Sequence, residues 1–263
     1  MARSISLTPN HRLIYIRDLL YILVVRDIKL RYKRSMLGLA WSLLNPLAQL
    51  LVFQFVFGVL LESNVPHFAT FLFTGILVWT WFQSSLLAAT EAIVGNRELI
   101  KRPTFPTPLL PLIAISSEMI HFLLAIPVLL LVLIFDDVPL TGTVLALPLI
   151  MLVQFILTLS LAYLVAIFQV SFGDTKYLLG IILHLLFFST GIFFDINQIS
   201  STYQPLLYLN PMTHLVGAYR DILLTGQLPA FDSLLLLTLL ALGILWLGYR
   251  SFLKASYHFV EEL

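Results

Sequence analysis

Glu118 and His121 lie one helical turn apart inside a long apolar stretch and are the side chains best suited to acid–base chemistry. An acid within an apolar segment is a functional candidate, because an unpaired charge there costs free energy. A proton relay, however, usually needs more members than these two residues. We therefore interpret them as a structural pair, or as a neutral glutamic acid beside a histidine.

A dense group of cations precedes the first long apolar stretch, with five lysines and arginines between Arg26 and Arg34. Beside a membrane segment, such a cluster holds its own side in the cytoplasm, and this role is sufficient to explain it. In a second interpretation, Arg31, Lys33 and Arg34 also attract lipid headgroups or a phosphorylated lipid substrate. The sequence leaves both interpretations open.

Polar and aromatic side chains share one face of two apolar segments when each is drawn as a helix. In the first segment the face holds Trp41, Ser42, Asn45, Gln49 and Phe53. In the second it holds Tyr177, His184, Phe187 and Phe188, with Gly180 and Gly191. Such faces avoid lipid and suit a bundle interior, a neighbouring subunit or a wet path. Ordinary helix packing explains either face alone, whereas two such faces favour a lined passage that suits sugar rings.

The elements that must position these residues are membrane-spanning helices. The chain has 263 residues, of which 59% are hydrophobic and 11% charged, whereas soluble domains carry roughly 25% charged residues. We predict an all-α integral membrane protein with six transmembrane helices, an N-terminal interfacial amphipathic helix and short external helices before the last span. The predicted spans are about 37–61, 68–91, 109–134, 143–170, 177–194 and 231–249.

The charge distribution predicts the orientation. Fourteen of the 15 lysines and arginines fall on one side of the six spans, and only Arg220 lies opposite. Because cytoplasmic loops carry the excess of cations, both termini are predicted to be cytoplasmic. The predicted divisions are a cytoplasmic segment at 1–36, with the interfacial helix at 11–34, a transmembrane domain at 37–249 and a cytoplasmic tail at 250–263.

The second connection predicts a short, charged cytoplasmic helix at 96–102, with Asn96 as its N-cap and Pro103 as its stop. Its residues are Asn96, Arg97, Glu98, Leu99, Ile100, Lys101 and Arg102. The helix is either a docking element for a cytosolic partner or simply a tight basic loop.

The external segment at 195–226 predicts further short helices. Asn210-Pro211 is a strong helix start, Gly226 is a suitable end, and Met212, Leu215 and Tyr219 follow helical spacing between them. We interpret these helices either as a cover over a cavity or as ordinary amphipathic elements.

Several classes of function find no support in the sequence. The chain has no cysteine, no G-x-x-x-x-G-K-[ST] loop, no H-E-x-x-H and no G-x-S-x-G. If ATP drives this protein, the ATPase is therefore another chain. We expect a membrane channel subunit that is not itself an enzyme, holds no cofactor or metal and binds no nucleic acid.

Three blocks of sequence carry a resemblance to a known family. They are RDIKLRYKRSMLGLAWSLLNPL from residue 26, GNRELIKRPTFP at 95–106 and NPMTHLVGAYRDILLTG at 210–226. In this order they resemble permeases of the type-2 ABC exporter class, and more narrowly those that export O-antigen, teichoic acid or related capsular polysaccharides. The stretch Arg102-Pro103-Thr104 departs from the more apolar sequence of many relatives, which affects only the details of coupling.

The resemblance implies a homodimer in the bacterial inner membrane that works with two copies of a cytosolic ATPase subunit, which bind ATP and Mg²⁺. The implied substrate is an undecaprenyl-diphosphate-linked glycan. Residues 96–102 would be the coupling helix, and 11–34 the interfacial helix beside the substrate entrance. The segment 195–226 would be the external gate, with Met212, Leu215, Tyr219 and Arg220. The aromatic lining of the family falls on its first and fifth spans.

Three alternatives remain. The nearest is a drug or small-lipid exporter of the same class. A secondary transporter would be driven by protons through Glu118 and His121. An intramembrane enzyme is the least supported, because the sequence offers no recognisable nucleophile or acid pair.

The predicted orientation is testable because the chain has no native thiol. In intact cells, a membrane-impermeant maleimide is expected to label Glu62→Cys from outside and to leave Lys101→Cys unlabelled. Labelling of Lys101→Cys from outside would invert the orientation and remove the proposed docking of a cytosolic motor at 96–102.

Overall fold

The computed structural model describes residues 9–102 and 104–259, and this part of the chain is helical without any β-strand. Its α-helices are α1 (Pro9–Arg31), α2 (Trp41–Phe53), α3 (Phe68–Val94), α4 (Arg97–Ile100), α5 (Leu109–Phe135), α6 (Leu147–Ser171), α7 (Thr175–Ser189), α8 (Gln204–Tyr208), α9 (Pro211–Arg220) and α10 (Phe231–Ser256). The prediction of an all-helical protein is confirmed for these residues.

Tighter and wider turns extend several of these helices. A 3₁₀ turn at Gly38–Ala40 leads into α2, and a π-helical segment at Gln54–Leu60 continues it. A 3₁₀ turn at Gly142–Ala146 likewise leads into α6. With these extensions, five helices are long and apolar enough to cross a membrane: 38–60, 68–94, 109–135, 142–171 and 231–256. Five predicted spans therefore coincide with long apolar helices.

Helix α7 is shorter than the sequence indicated. It has 15 residues and ends at Ser189, whereas the prediction ran from 177 to 194. The hydroxyl groups of Ser189 and Thr190 both donate to the carbonyl oxygen of Leu186, at 3.0 and 2.6 Å. Gly191 then turns the chain with a φ of 71°, in the left-handed region that glycine tolerates best. These local hydrogen bonds and the glycine end the helix although the sequence remains apolar.

Helix α3 forms the centre of the bundle and packs against α2, α5, α6, α7 and α9. Its side chains are buried around most of its circumference, which fits a sequence that is apolar on nearly every face. Helices α2, α5 and α6 each cover part of α3, whereas α10 packs mainly on α6.

A second apolar cluster lies at one end of the bundle. Leu23 and Val24 of α1 pack there with Ile100 of α4 and Phe252 of α10. The helix predicted at 11–34 is therefore present as α1, which ends at Arg31, and it is tied to the bundle by buried side chains. Its amphipathic character and its position along a membrane surface stay predictions.

The segment 195–226, which we predict to be external, forms the short helices that the sequence predicted. The side-chain oxygen of Asn210 accepts a hydrogen bond from the backbone nitrogen of Met212 at 3.0 Å, and Pro211 opens α9. A π-helical segment at Asp221–Thr225 follows, and Gly226 ends it with a φ of 65°. These start and stop signals are confirmed.

Helices α6 and α10 approach closely at Gly248, where a Cβ atom would lie 3.1 Å from the carbonyl oxygen of Ser160. We expect Gly248→Val to lower the free energy of unfolding by about 1–3 kcal/mol, because the added methyl groups would push the two helices apart. Thermal unfolding in detergent measures the effect. Gly243→Val is the matched control, since a Cβ there meets nothing within 4 Å. Equal destabilisation by both variants would contradict the close contact.

Candidate functional site

A cluster of aromatic rings joins the first and fifth predicted spans. The ring of Phe53 on α2 lies 6.3 Å from Phe187 on α7, and both rings contact Phe193, at 4.8 and 5.0 Å between centroids. Phe57 stacks on Phe193 at 5.1 Å. The aromatic faces predicted separately on two helices therefore meet, and Phe193 lies between them.

Two further predicted residues continue this aromatic cluster along α7. Phe188 contacts Phe187 at 5.5 Å and Phe193 at 5.6 Å, and His184 contacts Phe188 edge-on at 5.2 Å. Trp79 of the central helix α3 packs on Phe187 at 5.8 Å. The sequence analysis missed Trp79, Phe57 and Phe193. Only the spacing of Phe57, one turn after Phe53, carried a signal.

The remaining predicted path residues do not join the cluster within one chain. Trp41 and Tyr177 are 48% and 73% exposed, and Asn45 and Gln49 are also exposed. Ser42 is half-buried and donates to the carbonyl oxygen of Leu39 at 2.7 Å. The polar face of α2 therefore points away from its own bundle, where lipid would be an unfavourable neighbour.

The cations that precede α2 differ in their partners. Lys33 and Arg34 are exposed, whereas Arg31 forms an ion pair with Glu118 of α5. Arg31 also lies 3.3 Å from His121 Nδ1, and the Tyr32 hydroxyl lies 3.3 Å from His121 Nε2. Glu118 is almost fully buried and lies 3.3 Å from His121, so the predicted structural pair is present. Arg31 is the partner that the sequence did not reveal.

An open cavity of about 580 Å³ lies beside this charged group, between α1, α3 and α5. Arg31, Glu118 and His121 line one part of it, and Lys176, which is hydrogen-bonded to Glu91, lines another. Asn96, Ser84 and Ser117 add neutral polar groups to its wall. The cavity therefore combines two cations with three carboxylates, those of Asp27, Glu91 and Glu118, and with neutral hydrogen-bonding groups. Its volume is large enough for a phosphorylated or hydroxylated ligand.

Helix α4 occupies part of the predicted segment 96–102. Ile100 is buried and Leu99 half-buried, whereas the charged residues point outward: Arg97, Glu98, Lys101 and Arg102. Lys101 pairs with Glu98 at 3.1 Å. The short helix thus has one side anchored in the apolar cluster and a charged side that is free to contact another protein.

Asn96 is the N-cap residue of α4, as predicted, but its side chain makes no capping hydrogen bond. Its side-chain nitrogen donates to the carbonyl oxygen of Ala92 at 3.0 Å, and its side-chain oxygen accepts from Arg26 at 2.9 Å. The guanidinium of Arg26 on α1 thus donates to the side-chain oxygen of Asn96, which could otherwise accept a capping hydrogen bond from α4. Pro103, the predicted stop, lies outside the described residues.

Arg220 at the end of α9 is held by backbone carbonyls. Its guanidinium donates to Phe71 O at 3.1 and 3.2 Å, to Gly191 O at 2.8 Å and to Ile192 O at 3.0 Å. The guanidinium carbon lies 3.3 Å from the centre of the Phe71 ring. At Gly75 a Cβ would lie 2.9 Å from Arg220 Nη2, so glycine leaves room for the cation. Arg220 thus connects α9 to α3 and to the turn after α7.

The other predicted gate residues lie in the core. Met212, Leu215 and Tyr219 are at most 1% exposed, and the Tyr219 ring lies 6.0 Å from Phe122 of α5. Asp221 follows Arg220, and its partial burial raises the pKa of the carboxyl group. In this conformation α9 is packed firmly against the bundle.

Among the described residues, no group of three or more His, Asp and Glu side chains could hold a metal ion. The site consists instead of an aromatic cluster between two helices, a charged cavity at one end of the bundle, and a short helix with a free charged side. These features define a helical membrane protein with an aromatic cluster in its interior and an open charged cavity.

Comparison with known proteins identifies the family. A family model described as "ABC-2 type transporter" matches residues 18–224, so the chain belongs to this family. The chain is similar to an O-antigen export system permease protein, RfbA, of Myxococcus xanthus, with 32% identity over 94% of this chain and 96% of that protein. An RfbA of Klebsiella pneumoniae is 30% identical over 98% of this chain and all of that protein. The polysialic acid transport protein KpsM of Escherichia coli is 27% identical over 86% of this chain and 89% of that protein.

The role of Arg220 can be tested by Arg220→Met, which preserves much of the side-chain length and removes every hydrogen bond. We expect the free energy of unfolding to fall by about 3 kcal/mol, because three carbonyl groups lose a charged donor. Thermal unfolding in detergent measures the loss. The matched control is Arg250→Met on α10, whose exposed guanidinium rests on Trp246 at 4.7 Å. If the two variants unfold at the same temperature, Arg220 is not the connection described above.

Proposed function

We propose that this chain is the transmembrane permease subunit of an ATP-driven transporter that exports a lipid-linked polysaccharide, such as O-antigen, across the bacterial inner membrane. The observation that carries this proposal is the similarity to O-antigen export permeases over nearly the full length of both chains. The substrate is a glycan attached to undecaprenyl diphosphate, as the resemblance of the sequence blocks implies.

The transmembrane domain crosses the membrane six times, and both termini are cytoplasmic. Helix α7 and the turn that follows it form the fifth crossing, although the helix alone is about 22 Å long at 1.5 Å per residue. The packing of α7 against the central helix α3 supports this assignment. The residues after Ser189 are also largely apolar, so helix and turn together can cross the hydrocarbon layer.

Two copies of the chain form the transporter, and the exposed polar face of α2 faces the second copy. Asn45 and Gln49 support this arrangement because such side chains avoid lipid. Trp41, Ser42, Asn45, Gln49, Phe53, Tyr177, His184, Phe187 and Phe188 line the path between the copies. The aromatic cluster supplies apolar ring faces that suit the C–H faces of sugars.

Each copy docks one ATPase subunit through α4, and ATP with Mg²⁺ binds to that subunit. The exposed charges of Arg97, Glu98 and Lys101 support a polar docking surface, and buried Ile100 supports transmission of its movement into the bundle. At the cytoplasmic entrance, Arg31, Lys33 and Arg34 meet the diphosphate. On the external side, Arg220 and the buried face of α9 hold the gate closed.

An exporter of drugs or small lipids in the same class remains the second candidate. Such an exporter would have the same fold and the same ATPase partner, and it would differ only in the substrate that it transports. A proton-driven transporter has less support, because Glu118 is occupied by Arg31.

The test is to purify the chain with its ATPase partner, reconstitute the complex in vesicles and supply candidate substrates. We expect ATP hydrolysis to rise severalfold with an undecaprenyl-diphosphate-linked glycan. Stimulation only by drugs or simple lipids would favour the second candidate. Transport without any ATPase subunit would contradict both.

The aromatic path is tested by the double variant Phe53→Ala and Phe187→Ala. Glycan export in the vesicles is expected to fall about tenfold, because each aromatic contact contributes of order 1 kcal/mol. The matched control is the double variant Phe168→Ala and Phe172→Ala, which removes two exposed rings near the end of α6. Unchanged export in the first variant would argue against the lining.

A further inference from the structure

The cavity between α1, α3 and α5 contains two cations that already have carboxylate partners. Arg31 pairs with Glu118, and Lys176 pairs with Glu91. Both cationic side chains line the cavity and are 45% exposed, so a second anion can reach them. Any anionic ligand of this cavity must compete with these two carboxylates. A third carboxylate in the lining, that of Asp27, is paired with Arg26 at 2.7 Å.

The two carboxylates differ in their surroundings. Glu91 has a side chain that is 61% exposed, so solvent screens its attraction to Lys176. The side chain of Glu118 is only 5% exposed, and removal of its cation would leave a buried charge. His121, which lies 3.3 Å from Glu118, is in place to remain its partner when Arg31 leaves. Separation of Arg31 from Glu118 would therefore change the contacts of a buried carboxylate, whereas separation of Lys176 from Glu91 would change only an exposed ion pair.

This pair holds the segment that leads into the first spanning helix. Arg31 ends α1, and the chain between it and α2 turns twice through left-handed conformations, with φ of 69° at Arg34 and 51° at Gly38. Tyr32 adds its contact to His121. Residues 32–38 are thus tied to α5 at their beginning and contain the turns at which α2 can be redirected.

We propose that this cavity is a phosphate-binding site in which the ligand and Glu118 compete for Arg31. A diphosphate ester takes Arg31 and Lys176 as its two cationic partners, and Glu118 retains His121. Loss of the Arg31–Glu118 pair frees residues 32–38 from α5. This inference rests on the proposed function. It adds that binding of the substrate headgroup separates Arg31 from Glu118 and so releases residues 32–38.

The geometry favours a diphosphate over a phosphodiester headgroup, because two separate cations line one cavity. The same cavity is also lined by Asn96, which precedes α4 and accepts a hydrogen bond from Arg26 of α1. A ligand that moves the end of α1 therefore acts directly on the start of the proposed docking helix. Helix α1 therefore carries both the cation that meets the ligand and the cation that contacts the start of the docking helix.

The first test measures release of the segment in the complete transporter with its ATPase subunits, in phosphatidylcholine nanodiscs. Because the chain has no cysteine, Tyr32→Cys supplies a single thiol in the permease. Undecaprenyl diphosphate is expected to accelerate the reaction of this thiol with a maleimide about tenfold. The reason is that the conformation in which residues 32–38 contact α5 becomes the less populated one. Tyr21→Cys, at an exposed position on α1, is the control and is expected to react at an unchanged rate. An unchanged rate at Tyr32→Cys would overturn the proposal.

The second test removes the competitor. In Glu118→Gln, the concentration of undecaprenyl diphosphate that gives half-maximal stimulation of ATP hydrolysis is expected to fall about tenfold. The control is Asp18→Asn, which removes the carboxylate of an exposed ion pair with Arg17 on α1 and leaves this concentration unchanged. An unchanged value in Glu118→Gln would overturn the competition. If the Glu118→Gln protein does not accumulate in the membrane, the proposal is decided by the labelling of Tyr32→Cys, a variant that retains Glu118.

Further arms separate the possible ligands. Phosphatidylglycerol, which carries a single phosphodiester, is expected to leave the labelling rate at Tyr32→Cys unchanged. An equal acceleration by phosphatidylglycerol would overturn a diphosphate site. If a lipid-linked glycan stimulates ATP hydrolysis while labelling stays constant, the trigger is wrong and the proposed function stands. If undecaprenyl diphosphate accelerates labelling but the linked glycan neither stimulates hydrolysis nor is exported, the site stands and the proposed function falls.

Discussion

The architecture depends on how the charges of Arg220 and Glu118 are neutralised inside an apolar bundle. A charge removed from water needs either a counter-ion or several oriented dipoles, because its desolvation otherwise costs more than the fold can supply. Arg220 uses dipoles, the carbonyl groups of Phe71, Gly191 and Ile192. Glu118, whose side chain is 5% exposed, uses a counter-ion, Arg31, whose side chain is 45% exposed. These two solutions determine where α9 and the end of α1 can lie.

The two arginines act at opposite ends of the same central helix. Arg220 is bound near the start of α3, at Phe71, whereas the cavity beside Arg31 reaches Glu91 near its end. Twenty residues of helix separate these positions, or about 30 Å at 1.5 Å per residue. Arg220 also binds the carbonyl of Gly191, in the turn between Phe188 and Phe193. One arginine therefore borders the aromatic cluster, and the other borders the charged cavity.

The sequence predicted the helices well and their ends less well. Long apolar runs located five spanning helices, and Asn210-Pro211 and Gly226 located the external helix, because these signals are local. The end of α7 was misplaced, since the hydroxyl groups of Ser189 and Thr190 compete for a carbonyl within a segment that stays apolar. The side-chain hydrogen bonds of Asn96 were not predictable from neighbouring residues either, because its oxygen accepts from Arg26 on α1, 70 positions away in the chain.

By itself, the sequence determined which residues are apolar enough to span a membrane, which connections between the apolar runs carry the cations, and which helix faces combine aromatic and polar groups. Only the tertiary structure decided which of these faces meet. It joined Phe53 to Phe187 through Phe193, and it paired Arg31 with Glu118 across 87 positions of the chain. The reason is physical: helical periodicity is a property of neighbouring residues, whereas the partner of a buried ring or charge depends on how whole helices pack.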